Sequence, residues 1–150
     1  LVAHQPCIYI ANHRSSLDVI TMGEILAPNT VVIVKKELLK VPFLGMVLGN
    51  SRTIMIDRKN REDAVAGLSA AENAILNERL SVWVFPEGTR IPYGKRGKYK
   101  VGGALLGAST GAPVVPVAHN AGKLWGRNSF LKYPGLVTMS IGAAIDPAGP

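Results

Sequence analysis

The sequence predicts an α/β domain, a largely parallel mixed sheet flanked by helices, and three observations carry that prediction. Short β-rich apolar runs alternate with longer stretches of helical periodicity, the order expected of a parallel sheet with crossover helices. The 150 residues suit one domain able to bury a core, and 47% of them are apolar. Several of the apolar runs end in conspicuous polar groups, as happens where parallel strands deliver side chains to a ligand-binding rim.

The apolar runs are CIYIA (7–11), TVVIV (30–34), TIMI (53–56), SVWVF (81–85), PVVPVA (113–118) and VTMSIGAAI (137–145). Between them lie helical patterns at 15–26, 61–80 and 101–109. In the second, Val65, Leu68, Ala71 and Ile75 recur at spacings of three and four, which predicts one buried face. The first run leads into Asn12 and His13, the second into Lys35 and Lys36, the third into Asp57 and Arg58, and the fourth into PEGTR (86–90). In a parallel sheet these groups converge on one edge.

A net charge of +7 favours an anionic partner: nucleic acid, an anionic lipid surface or a phosphorylated substrate. Cys7 is the sole cysteine, which excludes an intrachain disulfide and fits a reducing compartment; it reads as a small buried hydrophobe. The mean hydropathy of +0.20 makes a membrane neighbourhood plausible. Yet the uncharged stretch 101–118 is broken by Gly, Ser, Thr and two prolines, so it reads as helix, turn and strand rather than a span. With no initiating Met and a strand almost at once, the chain reads as a catalytic core cut from a longer protein, with any membrane anchor outside it.

In NHRSSLD (12–18), Ser15 or Ser16 can cap a helix, placing Asp18 in its first turn and within reach of the His13 imidazole. A carboxylate on one ring nitrogen fixes the tautomer and leaves the other free to take a proton. The alternative is a polar strand-to-helix turn with a satisfied histidine. No G-x-S-x-G elbow occurs, so the simpler chemistry makes a substrate hydroxyl the nucleophile. His4, His13 and His119 lack metal-ligand spacing. Arg58 reads either as a surface ion pair with Asp57 or Glu62, or as a ligand cation. In FPEGTR (85–90), Glu87 can orient a neighbouring cation while Thr89 and Arg90 face a ligand, and the guanidinium fork suits phosphate. The basic loop 92–100 reads as a solvated segment or a lid over an anionic substrate. Aromatics at 6% and no nucleic-acid motif argue against nucleic acid. FLGMVLG (43–49) reads as core, or as an apolar surface that lines a channel or touches a bilayer.

Taken together, NHRSSLD, VKKELLKVPFLG, IMIDR, FPEGTR and APVVPVA, in this order and spacing, resemble the lysophosphatidic acid acyltransferase family (1-acyl-sn-glycerol-3-phosphate acyltransferases) within the wider glycerolipid acyltransferases. The resemblance covers about 7–145, making 1–150 one acyltransferase catalytic domain. It implies transfer of a fatty acyl group from acyl-CoA or acyl carrier protein to the free hydroxyl of lysophosphatidic acid, giving phosphatidic acid without a cofactor or metal. His13 then takes the role of base and Asp18 orients it. Arg58, Arg90 and Lys35 are assigned to the acceptor phosphate, with Glu87, Gly88 and Thr89 completing the turn, and Pro116 shapes the site or acyl pocket. Arg52 departs from the family's usual Gly: either the turn there tolerates a side chain or a further cation faces the cleft. The implied partners are these substrates and a membrane surface, at the cytoplasmic face of a bacterial inner membrane. The rivals are the same chemistry on glycerol 3-phosphate, another lysolipid or a lyso-aminolipid, and a non-catalytic module that binds anionic lipid.

Overall fold

The computed structural model describes residues 5–18, 29–41, 46, 52–57 and 59–149. Within them, strands β1 (Ile8–Ala11), β2 (Thr30–Lys35), β3 (Thr53–Ile56), β4 (Ser81–Val84), β5 (Val114–His119) and β6 (Met139–Ile141) form one six-stranded sheet. Helices α1 (Arg61–Leu76), α2 (Gly102–Thr110) and the short α3 (Ala121–Leu124) connect or follow them, with a 3-10 segment at Lys36–Lys40. The strand order is β3-β2-β4-β1-β5-β6; every pairing is parallel except that of β5 with β6. The α/β class and the mixed, largely parallel sheet are therefore as the sequence indicates.

Each apolar run becomes a strand, because β-branched and aromatic side chains can be buried on both faces of a parallel sheet. Ile8, Val31 and Val82 meet Ala71, Ala74 and Ile75 of α1 and Leu106 of α2 on one face. Cys7, Tyr9, Trp83, Phe85, Val115 and Val117 form the cluster on the other. The run 137–145 yields only a short strand, Met139–Ile141, with Ile145 returning to pair its backbone with Val114. Of the helix expected at 15–26, only its start at Leu17 and Asp18 falls among the described residues.

Asn60 caps α1 by accepting from the Glu62 and Asp63 amides, and the helix ends at Leu76, short of the expected 80, so that Leu80 can turn into the core. Its buried face is the expected one except at Val65: Ala71 and Ile75 are in the core and Leu68 packs against it. Gly67, Ala71, Ala74 and Ile75 are buried, while Val65 is exposed. The periodicity selected an apolar residue where the contact is made by a glycine. A Cβ at Gly67 would overlap the Ile56 side chain, so the missing side chain lets α1 sit down on β3. Gly67→Ala is expected to destabilise the domain by about 1–3 kcal/mol, the usual cost of overpacking, read as a lower denaturant midpoint at unchanged slope.

Candidate active site

The carboxyl ends of adjacent strands β1 and β4 deliver His13 and the turn after Val84 to the same place. In that turn the Gly88 amide donates to the Phe85 carbonyl at 3.0 Å, and Gly88 has φ +68°, a conformation that glycine adopts without steric cost. Pro86 sits where its fixed φ favours the turn. The chain is thereby folded back so that Glu87, only 4% exposed, accepts the His13 backbone N–H at 2.7 Å. Its other oxygen lies 3.1 Å from the Arg14 guanidinium. Glu87 thus orients a cation, Arg14, and holds the His13 backbone as well.

The spacing of His13 and Asp18 has a local cause. The Ser15 hydroxyl accepts from the Leu17 amide at 3.1 Å, and Asp18 Oδ2 accepts from the Ser15 amide at 2.9 Å. This reciprocal arrangement is a capping box at the start of a helix, with Asp in place of the usual Glu. The same Oδ2 accepts from the Arg14 amide at 2.7 Å and from His13 Nδ1 at 2.8 Å. An ionised carboxylate only accepts, so Nδ1 carries the ring proton and Nε2 presents a lone pair. The imidazole stacks on Phe85, with ring centres 4.2 Å apart, and stays 20% exposed while Asp18 is buried. That is an oriented imidazole at a solvent-reached edge.

Arg90 Nη1 donates to the Ser16 hydroxyl at 2.7 Å, which brings this guanidinium to the helix start that carries Asp18. Thr89 is exposed on the turn beside it. Lys35 ends β2, separated from β1 by β4, and its Nζ lies 3.9 Å from Glu37. It shares the rim without touching His13 or Arg90. Arg58 and most of 43–49 lie outside the described residues. Arg52 precedes β3, at the opposite end of the sheet from the rim, and its guanidinium is 3.7 Å from Glu78. Of the two readings of Arg52, this position favours the one in which the chain accommodates the side chain away from the cleft. Pro116 is exposed on β5, with its carbonyl accepting from the Gly142 amide, and it does not line the cavity described next.

An apolar cavity of about 310 Å³ lies between the sheet and helices α1 and α2, walled by Ile33, Ile56, Leu68 and Leu106 and reaching Pro86 and Gly88 of the turn.

Two residues of the site, Arg14 and His119, were not singled out for it by their sequence positions, and Asn12 only as a polar group at a strand end. The Arg14 guanidinium donates to the carbonyls of Pro92 and Lys95 at 3.3 and 2.7 Å, pinning the basic loop to the site. Asn12 and His119 exchange bonds between the ends of β1 and β5: Asn12 Nδ2 donates to the His119 carbonyl, and the His119 amide donates to Asn12 Oδ1. The His119 ring Nε2 is 2.7 Å from the Asn12 carbonyl and 3.6 Å from Asp18 Oδ1, with both side chains buried. The Ala121 amide donates to Nδ1 at 3.4 Å, which makes Nε2 the protonated nitrogen. A second histidine therefore backs the aspartate. Only its position at a strand end pointed to it, and scattered histidines give no spacing to read.

Fold and site together define an α/β domain that holds an aspartate-oriented histidine and an adjacent arginine at the carboxyl edge of its sheet. Residues 1–120 match the family model described as Acyltransferase, and the chain belongs to that family. It is 37% identical over 148 residues to the 1-acyl-sn-glycerol-3-phosphate acyltransferase of Pseudomonas aeruginosa, covering 99% of this chain and 57% of that protein. The Escherichia coli enzyme of the same name is 38% identical over 114 residues, covering 73% and 45%. The crystal structure of the 1-acyl-sn-glycerophosphate acyltransferase from Thermotoga maritima superimposes with a TM-score of 0.78 at 28% identity, covering 97% of this chain and 58% of that one. The chain spans about half the length of these relatives.

Proposed function

We propose that this domain transfers a fatty acyl group from acyl-CoA or acyl carrier protein to the free sn-2 hydroxyl of 1-acyl-sn-glycerol 3-phosphate, forming phosphatidic acid. His13 Nε2 removes the hydroxyl proton as the oxygen attacks the thioester carbonyl. Collapse of the tetrahedral adduct breaks the carbon–sulfur bond, and the imidazolium returns the proton to the departing thiolate. Asp18 stabilises that imidazolium, and Arg90, with Arg58 and Lys35, receives the acceptor's phosphate. The apolar cavity beside Gly88 offers a place for an acyl chain. The observation that carries the reading is the 2.8 Å His13–Asp18 pair on the same rim as Arg90. The names of the relatives support the choice of acceptor. The reaction belongs at the cytoplasmic face of the inner membrane, where donor and lipid acceptor meet.

The test is transfer of labelled acyl groups from both donors to 1-acyl-sn-glycerol 3-phosphate, with glycerol 3-phosphate and a phosphate-free lysolipid as competing acceptors. Transfer to the first above the others is expected; preference for either competitor replaces the acceptor. Arg90→Ala is expected to raise acceptor KM roughly ten- to hundred-fold, the weight of one charge-assisted hydrogen bond of about 1.5–3 kcal/mol, with little change in donor KM. An unchanged acceptor KM removes Arg90 from the phosphate site.

A further inference from the structure

All ten acidic residues lie outside 88–145, whereas that stretch holds Arg90, Lys95, Arg96, Lys98, Lys100, Lys123, Arg127 and Lys132. The chain's whole positive excess therefore belongs to one continuous segment, and the remainder is close to neutral. The same segment carries exposed large apolar side chains on two loops. Tyr93 and Tyr99 stand out on the loop leading into α2, and Phe130, Leu131, Tyr133 and Leu136 on the loop after α3. Phe130 is 98% exposed and Leu136 81%. Single exposed hydrophobes are ordinary, but four within seven residues and interleaved with a cation are not.

The second loop holds its shape by its own bonds. Trp125 Nε1 donates to the Ser129 carbonyl at 2.7 Å, the Tyr133 amide donates to the Leu124 carbonyl at 2.8 Å, and Lys132 Nζ lies 4.4 Å from the Trp125 ring centre. Both loops are tied to the catalytic edge. The Ile91 amide donates to the His13 carbonyl at 2.8 Å, and Arg127 Nη1 donates to the Arg90 carbonyl at 3.1 Å.

We infer that the loops at 92–101 and 125–136 form a membrane-seating surface, in which Phe130, Leu131 and Leu136 enter the interface of an anionic bilayer while the lysines and arginines around them meet its headgroups. Apolar tips ringed by cations match the two layers of such an interface, apolar below and negatively charged above. A protein partner would offer a groove for a protruding residue but would not by itself account for the absence of every carboxylate over the segment. The inference deepens the proposed function, since it seats the mouth of the site where a lipid acceptor resides.

The experiment is co-sedimentation of the chain with vesicles of phosphatidylcholine alone and of phosphatidylcholine mixed with phosphatidylglycerol. It uses the parent, Phe130→Ser/Leu131→Ser and Lys95→Gln/Lys98→Gln. The parent is expected to bind the mixed vesicles at least roughly ten-fold more tightly than the neutral ones. The paired lysine change should weaken that binding roughly twenty-fold, and the apolar change roughly ten-fold or more, with thermal midpoints unchanged. Equal binding to both vesicles, no binding, or binding that neither variant lowers overturns the inference. So does a concentration-dependent dimer that the apolar change makes monomeric, because the patch would then be covered by a second copy. Co-sedimentation needs no acyl donor and reads the surface alone, so vesicle binding by a chain that shows no transfer in the separate donor-containing assay counts against the reaction alone. Transfer to a dispersed short-chain acceptor without vesicle binding counts against the surface alone.

Discussion

Replacing His13 by Ala is expected to lower acyl-transfer turnover by roughly two to four orders of magnitude, the range associated with losing a positioned general base. The side chain contributes little to the core: it is 20% exposed, and its stacking partner Phe85 keeps its neighbours in the cluster with Trp83 and Val115. What holds the residue in place is its backbone, bonded to Glu87 on one side and to Ile91 on the other. Both bonds survive truncation to Ala. The variant should therefore fold, bind both substrates with KM values near the parent's, and fail in the chemical step. Near-parental turnover would remove His13 from the mechanism. A rise in both KM values with unchanged turnover would make it a binding residue.

Asp18→Asn should reduce turnover by a comparable factor, roughly two to four orders of magnitude, since an amide neither stabilises the imidazolium nor enforces the Nδ1–H tautomer. The physical loss is twofold. Oδ2 accepts from the His13 ring and from the Arg14 and Ser15 amides, and a neutral amide oxygen holds these donors more weakly. Its new N–H₂ group would face His119 Nε2–H across the 3.6 Å gap, donor against donor. Because His13 and Asp18 act as one unit, the double variant is expected to be no slower than His13→Ala. A double variant slower by the product of both factors would show that Asp18 acts independently of the base. Turnover within a factor of two of the parent in Asp18→Asn would show that the base needs no anionic partner.

Much of this site lies on the surface of the sequence because its parts are local. NHRSSLD contains His13, the carboxylate bonded to it and the capping box that brings them together, so a five-residue spacing is enough to read them. FPEGTR is likewise a single turn, and Glu87 orients a cation as its neighbours imply. What stays hidden is made by long-range pairing. Arg14 reaches Lys95 only because β1 and β4 are neighbours, and Asn12 meets His119 only because β1 also pairs with β5. No window of adjacent residues contains either relation. On α1, Leu68, Ala71 and Ile75 were legible and Gly67 was not, because periodicity counts apolar side chains and the closest approach to the sheet is made by a residue that has none. For Arg52, strand direction decides, since a cation before a parallel strand and one after it stand at opposite ends of the sheet.

One oxygen atom of Asp18 both closes the first turn of its helix and orients the imidazole. Folding that turn and orienting the imidazole are then a single event, and any local opening that releases the Arg14 and Ser15 amides to solvent also releases His13. Hydrogen exchange at those two amides becomes a gauge of the fraction of molecules competent for chemistry, and its opening free energy can lie well below that of global unfolding. Conditions that fray this turn would release the imidazole while leaving the sheet intact.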